Sequence, residues 1–444
     1  MTKLDLSKSI AAHKQLKARI PAGVHYSFRM PWEAKQISFA RASRSRIWDI
    51  DGNEHLDLFA KFGANILGHN NPHYNQALRD VLDTVASTNL GTLDYDAAEL
   101  VCQCVPGAEL VRFSLSGTEA VQNALRLARG YTGRNRFVRF LGHYHGSADN
   151  VMGGKVGDLD DPVPIEFEGD FSDTGGKARG ILQQQSNLLP WNDSAALREV
   201  LERHPDEVAA VLMEPICING GGLMPAAGFL ETVRQLCDQY GVVLIFDEVI
   251  TGFRVGLGGA QAQFGVTPDI MTLGKALAGG ALPVSAIAGS AKLMRHYENR
   301  KVSHGGTFNG YQLGLAAVKA TLEILTADGA QLYASMNAKM TQIVAALLRQ
   351  AEHHGIDLQV SGPPSCSVFN ARPLSDDQSL SPKAKFINRY VAKMTGEAMM
   401  ENGVLLSNLN RLYGNITLDD SDVELFEQRA KSAFQTVRAH IDTL

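Results

Sequence analysis

Short apolar segments alternate with longer segments of helical periodicity from about residue 75 to about residue 330, and this alternation constrains the fold more than any other feature. The apolar segments are predicted strands, because they are short and bounded by turn or polar residues. They cover residues 110–115, 136–142, 208–215, 241–248, 270–274 and 284–290. Alternation of strands and helices predicts a mainly parallel sheet covered by helices on both faces.

The two ends of the chain have a different pattern. An amphipathic helix is predicted over residues 5–19, with Leu6, Ile10 and Leu16 on one apolar face. A hairpin is predicted around the Asp51-Gly52-Asn53 turn. After residue 330 we expect a long helical region, short strands at LQVSG, CSVFNARP and NITL, and a final helix, which together indicate a smaller α+β unit.

Charge and composition exclude several classes of partner. The net charge is -5 and the pI is near 6.2, so nucleic acid is not an expected partner. No stretch reaches the roughly 18 apolar residues that a membrane span needs. The five cysteines form no C-x-x-C pair, and the first residues do not resemble a secretory signal, so a cytoplasmic location is expected. The Gly-, Asp- and Pro-rich segment 153–187 is predicted to be an active-site flap.

Two predicted strands end in residues that carry chemistry. Asp247 ends one strand, and Lys275 follows the next, with small residues behind it. Ligands of open α/β sheets bind at the carboxyl ends of the strands. Most lysines are only solvated surface groups, but this one follows an apolar strand. Asp247 could bind a metal or pair with a heteroaromatic nitrogen; the magnesium site of nucleotide hydrolases would also need a G-x-x-x-x-G-K-[ST] loop, which the sequence lacks.

A third strand leads into Ser116, Gly117 and Thr118 at the start of a predicted helix. Ser116 with Glu119 fits a capping box, which is a purely structural interpretation. The free N–H groups at this helix start could also bind a phosphate, and we favour that interpretation modestly. A phosphate, a strand-end carboxylate and a buried lysine together indicate a cofactor site.

Two further motifs leave alternatives open. Tyr144 in LGHYHG could stack on a flat ring, whereas His143 and His145 without a third clustered ligand are a weak metal signal. The Gly305-Gly306-Thr307 turn is either a simple loop and helix cap or a second phosphate-binding turn.

These motifs together resemble the class III (ω-type) aminotransferases of pyridoxal-phosphate (PLP) fold type I, specifically the glutamate-1-semialdehyde aminomutase branch. The similarity runs from about residue 20 to the C-terminus, through PAGVHYSFR, NILGHNNP, SLSGTEA, YHG, LMEPI, LIFDEVITGFR, GVTPDIMTLGKALAGG and GGTFNG. It implies a large PLP-binding domain with a mainly parallel seven-stranded sheet at 71–330. It also implies a smaller α+β domain from both termini, formed by residues 1–70 and 331–444.

The resemblance also implies residue roles. Lys275 would hold PLP as a Schiff base, Asp247 would pair with the pyridine nitrogen, and Val249 and Tyr144 would cover the two ring faces. The implied phosphate ligands are Ser116, Gly117, Thr118 and, from the partner subunit of a homodimer, Thr307.

On the substrate side, Arg29 falls where the aminomutase branch binds a substrate carboxylate, and Arg411 falls near a carboxylate-binding arginine of the β-amino acid aminotransferases. Asn410 stands where the aminomutase pattern is acidic, Phe62 replaces a tryptophan, and the 153–187 flap is longer and more acidic. These departures favour transamination from a small-molecule amino donor to a carbonyl acceptor. The alternative is glutamate-1-semialdehyde 2,1-aminomutase, and the third hypothesis is an inactive PLP-fold binding protein.

Overall fold

The computed structural model describes residues 4–25, 37–88, 90–152, 186–298, 301–371 and 382–442, with the backbone alone over 382–390. Almost all of the predicted flap therefore lies outside the described residues. The chain divides into two compact units. One is Pro72–Ala330, and the other combines Met1–Asn71 with Gln331–Leu444.

Strands and helices alternate along the large unit, whereas the small unit combines elements from both ends of the chain. The described strands are β1 (Phe39–Ser43), β2 (Arg46–Asp49), β3 (Glu54–Asp57), β4 (Leu110–Ser114), β5 (Arg136–Phe140), β6 (Ser186–Leu189), β7 (Val208–Met213), β8 (Val243–Asp247), β9 (Ile270–Leu273), β10 (Ser285–Gly289), β11 (Leu358–Ser361), β12 (Cys366–Ala371), β13 (Val404–Leu405) and β14 (Arg411–Tyr413). The described α-helices are α1 (Ser7–Lys17), α2 (Ala60–Gly63), α3 (Pro72–Leu82), α4 (Leu93–Cys104), α5 (Gly117–Thr132), α6 (Ser194–Arg203), α7 (Phe229–Tyr240), α8 (Gly259–Phe264), α9 (Ala291–Met294), α10 (Gln312–Ala327), α11 (Gly329–His353), α12 (Pro382–Glu401) and α13 (Asp420–Ile441). Short 3-10 helices cover Pro21–Gly23, Lys275–Ala278 and Arg295–Tyr297.

The large unit is built on a seven-stranded sheet in the order β4-β10-β9-β8-β7-β5-β6. Strand β10 is antiparallel to both of its neighbours, and the other pairs are parallel. Every residue of β7, β8 and β9 is buried. Strands that are buried on both faces require a helical layer on each side. The α/β class and the mainly parallel seven-stranded sheet predicted from the sequence are therefore confirmed.

One edge strand was missed by the sequence analysis. Strand β6 pairs in parallel with β5, with Phe137 opposite Ser186, yet residues 186 and 187 were assigned to the flap. The polar Ser186-Asn187 pair conceals the strand in the sequence, although all four residues of β6 are buried. The predicted flap boundary at 187 is wrong for this reason.

The small unit holds two sheets, one in the order β1-β2-β3-β13 and one in the order β11-β12-β14. The predicted hairpin is confirmed as β2 and β3, and its turn uses Gly52 at a φ of 98°. The predicted NITL strand is wrong. In that segment the Asn415 side-chain oxygen accepts hydrogen bonds from the Thr417 N–H and hydroxyl, which closes a turn before α13.

Helix α1 forms as predicted, but it buries a different face. Ile10 and Leu16 are exposed, whereas Ser9 and His13 are buried. The carboxylate of Asp51 accepts hydrogen bonds from the Ser9 hydroxyl at 2.6 Å and from the backbone N–H groups of Lys8 and Ser9. Polar contacts at the helix start therefore decide which face of α1 packs inward. No helix in the described part of the chain could cross a lipid bilayer.

Candidate active site

Asp247 is the last residue of β8 and its side chain is buried. Its Oδ1 atom accepts hydrogen bonds from the Thr272 hydroxyl at 3.0 Å and the Val249 N–H at 3.1 Å, and its Oδ2 atom lies 2.7 Å from His145 Nδ1. The sheet register sets Thr272 directly beside Asp247. A carboxylate offers about four lone-pair positions, so three partners hold it rigidly and one position stays available for a ligand.

Lys275 follows β9, the parallel neighbour of β8, and therefore lies at the same sheet edge as Asp247. Its φ of 46° is in the left-handed region. That conformation is costly for a residue with a side chain, and such strain collects at functional sites. Ala276, Leu277 and Ala278 are buried behind it. The turn thus presents Lys275, the half-buried residue, toward the sheet edge.

Ser116, Gly117 and Thr118 start helix α5 directly after β4. The predicted capping box is confirmed, because Ser116 Oγ accepts from the Glu119 N–H while Glu119 Oε2 accepts from the Ser116 N–H at 2.8 Å. The Ser116 hydroxyl also donates to Glu119 Oε2 at 3.1 Å. Its polar groups are thus used by the cap. The first-turn N–H groups of Gly117 and Thr118 have no acceptor within the helix. These N–H groups are therefore better suited to bind an anion than the Ser116 side chain is.

Val249 links the helix start to the lysine turn. A Cβ atom at Gly117 would lie 3.1 Å from Val249 Cγ1, and one at Gly274 would lie 3.4 Å from the same atom. The Ser285 hydroxyl donates to the Ser116 carbonyl at 2.7 Å. The starts of α5 and of the Lys275 turn therefore flank one valine side chain. Glycine at both positions allows the backbone to approach the Val249 side chain this closely.

The segment around Tyr144 closes another side of this region. Gly146 has a φ of 100°, and a Cβ there would lie 2.5 Å from Thr118 Oγ1. The Ser147 N–H donates to the same Thr118 oxygen at 3.2 Å. Burial, and then the charge of Asp247, raise the pKa of Tyr144. Tyr144 is thus a neutral aromatic side chain beside the carboxylate at neutral pH.

The alternative metal interpretations find no support in this geometry. His143 Nδ1 accepts from the Glu214 N–H at 3.0 Å, while His145 contacts Asp247. The Glu248 carboxylate accepts N–H bonds from Ala260 and Gln261 at the start of α8. Over the described ranges, no three His, Cys, Asp or Glu side chains are grouped so that they could hold a metal ion.

Thr307, the last of the predicted phosphate ligands, belongs to the turn that precedes α10. It is exposed, in a turn closed by a bond from the Asn309 N–H to the Gly306 carbonyl at 3.1 Å. Asn309 Nδ2 is 3.3 Å from His304 Nε2, which also lies 3.2 Å from the Ser114 hydroxyl at the end of β4. Within the described part of the chain, no hydrogen bond joins Thr307 to the other predicted cofactor residues.

The two predicted substrate residues belong to the ends of the chain and not to the large unit. Arg29 lies outside the described residues. Arg411 is a buried residue of β14 in the small unit, and its N–H and carbonyl both bond to the backbone of Ser407. Asn408 and Leu409 between them have φ values of 48° and 66°. The backbone that carries Arg411 is therefore a tightly constrained turn.

Four residues of this region were not predicted to act there: His145 as the partner of Asp247, and Thr272, Ser285 and Glu214. Two sequence signals could have found some of them. Thr272 is the polar residue of an otherwise apolar strand, and Glu214 directly follows the wholly buried β7. Their partners lie far away in the sequence; His145 and Asp247, for example, are separated by 102 positions.

The comparisons with known proteins agree with this geometry. The family model of class III aminotransferases matches residues 30–366. A glutamate-1-semialdehyde 2,1-aminomutase 2 of Bacillus cereus is 35% identical over 99% of this chain and 100% of its own length. A glutamate-1-semialdehyde 2,1-aminomutase of Natranaerobius thermophilus is 34% identical over 93% and 95%. The crystal structure of an omega-transaminase from Sphaerobacter thermophilus superposes with a TM-score of 0.84, at 32% identity, over 97% of this chain and 98% of that one.

Proposed function

Because the chain belongs to the class III aminotransferase family and is a pyridoxal-phosphate enzyme, we propose that Lys275 binds the cofactor and moves the proton in an amino-group transfer on a small substrate. The observation that carries this proposal is the shared sheet edge of Lys275 and Asp247, with Val249 lying between Gly117 and Gly274. These residues belong to separate segments that meet at one place, as a cofactor site requires.

The residues at this edge fit the cofactor. The N–H groups of Gly117 and Thr118 suit a phosphate at a helix start. The remaining lone-pair position of Asp247 suits a protonated ring nitrogen. Val249 on one face and the ring of Tyr144 on the other suit a flat aromatic ring. Bound PLP supplies an electron sink for the carbanion that forms when a C–H bond next to the substrate nitrogen breaks.

Each side chain has a distinct task in the proposal. The negative charge of Asp247 favours a protonated ring nitrogen. With PLP bound, the Lys275 amine would act as general base and then as general acid, taking a proton from the substrate carbon and giving it back. Arg29 and Arg411 are proposed to bind substrate carboxylates through paired hydrogen bonds.

The reaction that we place first is the intramolecular amino exchange of glutamate-1-semialdehyde 2,1-aminomutase. Two relatives with this name are 34% and 35% identical over nearly their whole length. The sequence analysis favoured donor-to-acceptor transamination, and these relatives favour the exchange instead. Transamination is the second candidate, because the omega-transaminase is 32% identical over the whole fold and because Phe62 and Asn410 depart from the aminomutase pattern.

Lys275→Ala tests the shared part of the proposal. We expect the purified wild type with PLP to show the visible absorption band of a lysine-bound cofactor, and the variant to lose both this band and turnover. Lys292→Ala, at an exposed lysine of the same unit, is the control and should retain both. A variant at Lys275 that still turns over substrate would refute the proposal, and a wild type with the band but no turnover on any substrate would favour a binding protein.

One assay separates the two reactions. Glutamate-1-semialdehyde is supplied alone to the PLP-loaded enzyme, and 5-aminolevulinate is measured. Multiple turnovers without any added acceptor support the exchange. If 5-aminolevulinate is not formed, and a glutamate donor with a carbonyl acceptor turns over, transamination replaces the exchange as the proposed function.

We further propose that the enzyme is a homodimer in which Thr307 completes the phosphate site of the partner subunit. Phe308, the neighbour of Thr307, is 62% exposed, and Leu90 and Tyr95 are 83% and 70% exposed. The segments that carry these side chains meet at Asp94, which accepts from the Gln312 side chain at 2.7 Å and from the Gly91 N–H at 2.9 Å. An apolar surface of this kind indicates an interface, and a second copy is the occupant that would also bring Thr307 to a cofactor site.

A further inference from the structure

Glu214 is a buried carboxylate to which the proposed function assigns no task. It directly follows β7, whose neighbour β8 ends at Asp247. Its side chain is only 3% exposed. A carboxylate that is removed from water is costly unless several donors surround it. The hydrogen bonds of Glu214 therefore indicate its role in the structure.

Glu214 holds two consecutive residues of the segment that carries Tyr144. Its Oε1 atom accepts the Tyr144 N–H at 2.7 Å, and its own backbone N–H donates to His143 Nδ1 at 3.0 Å. The Asn219 side chain donates to the same Oε1 at 2.8 Å, and the Asn219 N–H donates to Oε2 at 3.3 Å. The carboxylate is thus fixed by Asn219 and holds Tyr144, while the backbone N–H of Glu214 holds His143.

The segment that Glu214 holds carries two residues of the candidate active site. The ring of Tyr144 is proposed to cover the cofactor, and His145 Nδ1 lies 2.7 Å from Asp247 Oδ2. His143 and His145 pack with their ring centroids 5.7 Å apart, in an edge-on arrangement. A shift of residue 143 or 144 would therefore move both the stacking ring and the partner of Asp247.

Burial and the surrounding donors have opposite effects on the pKa of Glu214. Burial raises the pKa of Glu214, whereas the charge of His145 and the Tyr144 and Asn219 donors act in the opposite direction. Burial, followed by the charge of His145, lowers the pKa of His143 well below its usual range. His143 is thus a neutral acceptor for the Glu214 N–H at neutral pH.

We infer that Glu214 is a positioning residue: it holds the 143–145 segment so that Tyr144 and His145 face the cofactor ring and Asp247. The inference rests on the proposed function, because it concerns how tightly and in which orientation PLP is held. Glu214 itself does not touch the reacting atoms in this account. It acts through the backbone of Tyr144 and through His143.

The test compares Glu214→Gln, Glu214→Ala and the wild type, each loaded with PLP. Visible circular dichroism per bound cofactor reports the ring orientation, and equilibrium dialysis gives the dissociation constant of PLP. Glutamine keeps an oxygen for the Tyr144 N–H but turns an N–H group toward Asn219. We expect the dichroic signal to fall in the order Glu, Gln, Ala, and PLP binding to weaken about tenfold in Glu214→Gln, as for the loss of one charge-assisted hydrogen bond.

Ile343→Ala is the control for stability alone, since Ile343 is buried in α11 and belongs to the core cluster of the small unit. It should lower the melting temperature and leave the dichroic signal unchanged. If a Glu214 variant does not fold, Asn219→Ala removes the side-chain donor to Glu214 Oε1 and keeps the backbone N–H, and a smaller change in the same direction is expected. Wild-type dichroism and affinity in Glu214→Gln, or in Asn219→Ala where that variant is used, would overturn the inference. A wild type without any visible band would instead refute the proposed function.

Discussion

At the scale of single residues, the central carboxylate of the candidate site, Asp247, forms most of its hydrogen bonds with other groups of the protein. Asp247 has three partners, namely Thr272, Val249 and His145. Such a carboxylate cannot turn, so its remaining lone pair has a fixed direction. A charge that is preorganised in this way favours catalysis, because the surrounding groups do not have to reorient during the reaction.

Asp247→Asn should therefore keep the geometry and lose the charge. The asparagine oxygen can still accept from Thr272 and Val249, while its NH₂ group replaces Oδ2, the atom that lies 2.7 Å from His145 Nδ1. We expect PLP to remain bound and turnover to fall about 100-fold, as when one preorganised electrostatic group is removed. Steady-state kinetics with the cofactor content measured in parallel checks this. Asp206→Asn, at an exposed surface position, is the control; an unchanged rate in Asp247→Asn would contradict the assignment.

His304 gives a pH-dependent prediction. Burial, and then the charges of Arg112 and Arg126, lower the pKa of His304 from 6.5 to about 4. Between these values the unfolded chain binds a proton at this residue that the folded chain does not, so the free energy of unfolding falls as the pH drops below 6.5. After allowance for solvent screening of this partly exposed group, we expect a loss of about 1 kcal/mol by pH 4.

The measurement is urea unfolding of the wild type and of His304→Gln between pH 4 and pH 7. Glutamine can accept from Asn309 but does not titrate in this range. The wild type should lose more stability than the variant as the pH falls, and the difference isolates His304 because His143 titrates equally in both proteins. Parallel pH curves for the two proteins would show that His304 is not held neutral by the fold.

At the scale of helices and strands, the sequence predicted the elements whose periodicity reflects burial on a sheet. Strands β7, β8 and β9 are continuous apolar runs because both of their faces are covered. The capping box of α5 was also predictable, since it depends only on residues 116 and 119. Local rules suffice where the stabilising contacts are local.

The failures occur where distant partners decide the outcome. Strand β6 begins with Ser186 and Asn187, and only its pairing with β5 shows that it is a strand. Helix α1 turns Ser9 inward because Asp51, 42 residues away, accepts from it. Likewise, the contact of Tyr144 with Glu214 spans 70 residues. No pattern within a short window contains such information.

Gly117→Ala is a prediction about the start of α5. Alanine favours the helix over glycine by up to about 1 kcal/mol, so the stability of the cofactor-free protein should not fall. The added Cβ would lie 3.1 Å from Val249 Cγ1 and would displace the side chain proposed to cover one face of the cofactor ring, so PLP should bind about tenfold more weakly.

Gly130→Ala in the same helix is the matched comparison. Its Cβ would lie 2.4 Å from Val302 Cγ2, so this variant should lose stability and keep its affinity for PLP. Thermal unfolding without cofactor, together with PLP titration monitored by quenching of protein fluorescence, gives both quantities. The same profile in the two variants would argue against the phosphate site at the start of α5.

At the scale of the whole molecule, the question is whether one chain contains a complete active site. The other predicted cofactor residues of the large unit are linked through Val249, Asp247 and Thr118, whereas Thr307 is exposed on a separate turn. Leu90, Tyr95 and Phe308 are exposed, and Phe308 directly follows Thr307. The proposed homodimer would cover these apolar side chains and bring Thr307 of one subunit to the phosphate site of the other.

Mixed dimers test this arrangement directly. Lys275→Ala and Thr307→Ala are each expected to be impaired as homodimers, the first because the amine is missing and the second because the phosphate is held less tightly. If Thr307 acts across the interface, a mixed dimer contains one site with both defects and one site with neither, since the Thr307→Ala subunit keeps its own Lys275 and receives Thr307 from its partner. Mixing the two variants, with exchange of subunits verified by differently tagged chains, should therefore restore activity to about half of the wild-type value per mixed dimer. If Thr307 acts within its own chain, every site in the mixture carries a defect, and the activity should stay at the average of the two homodimers.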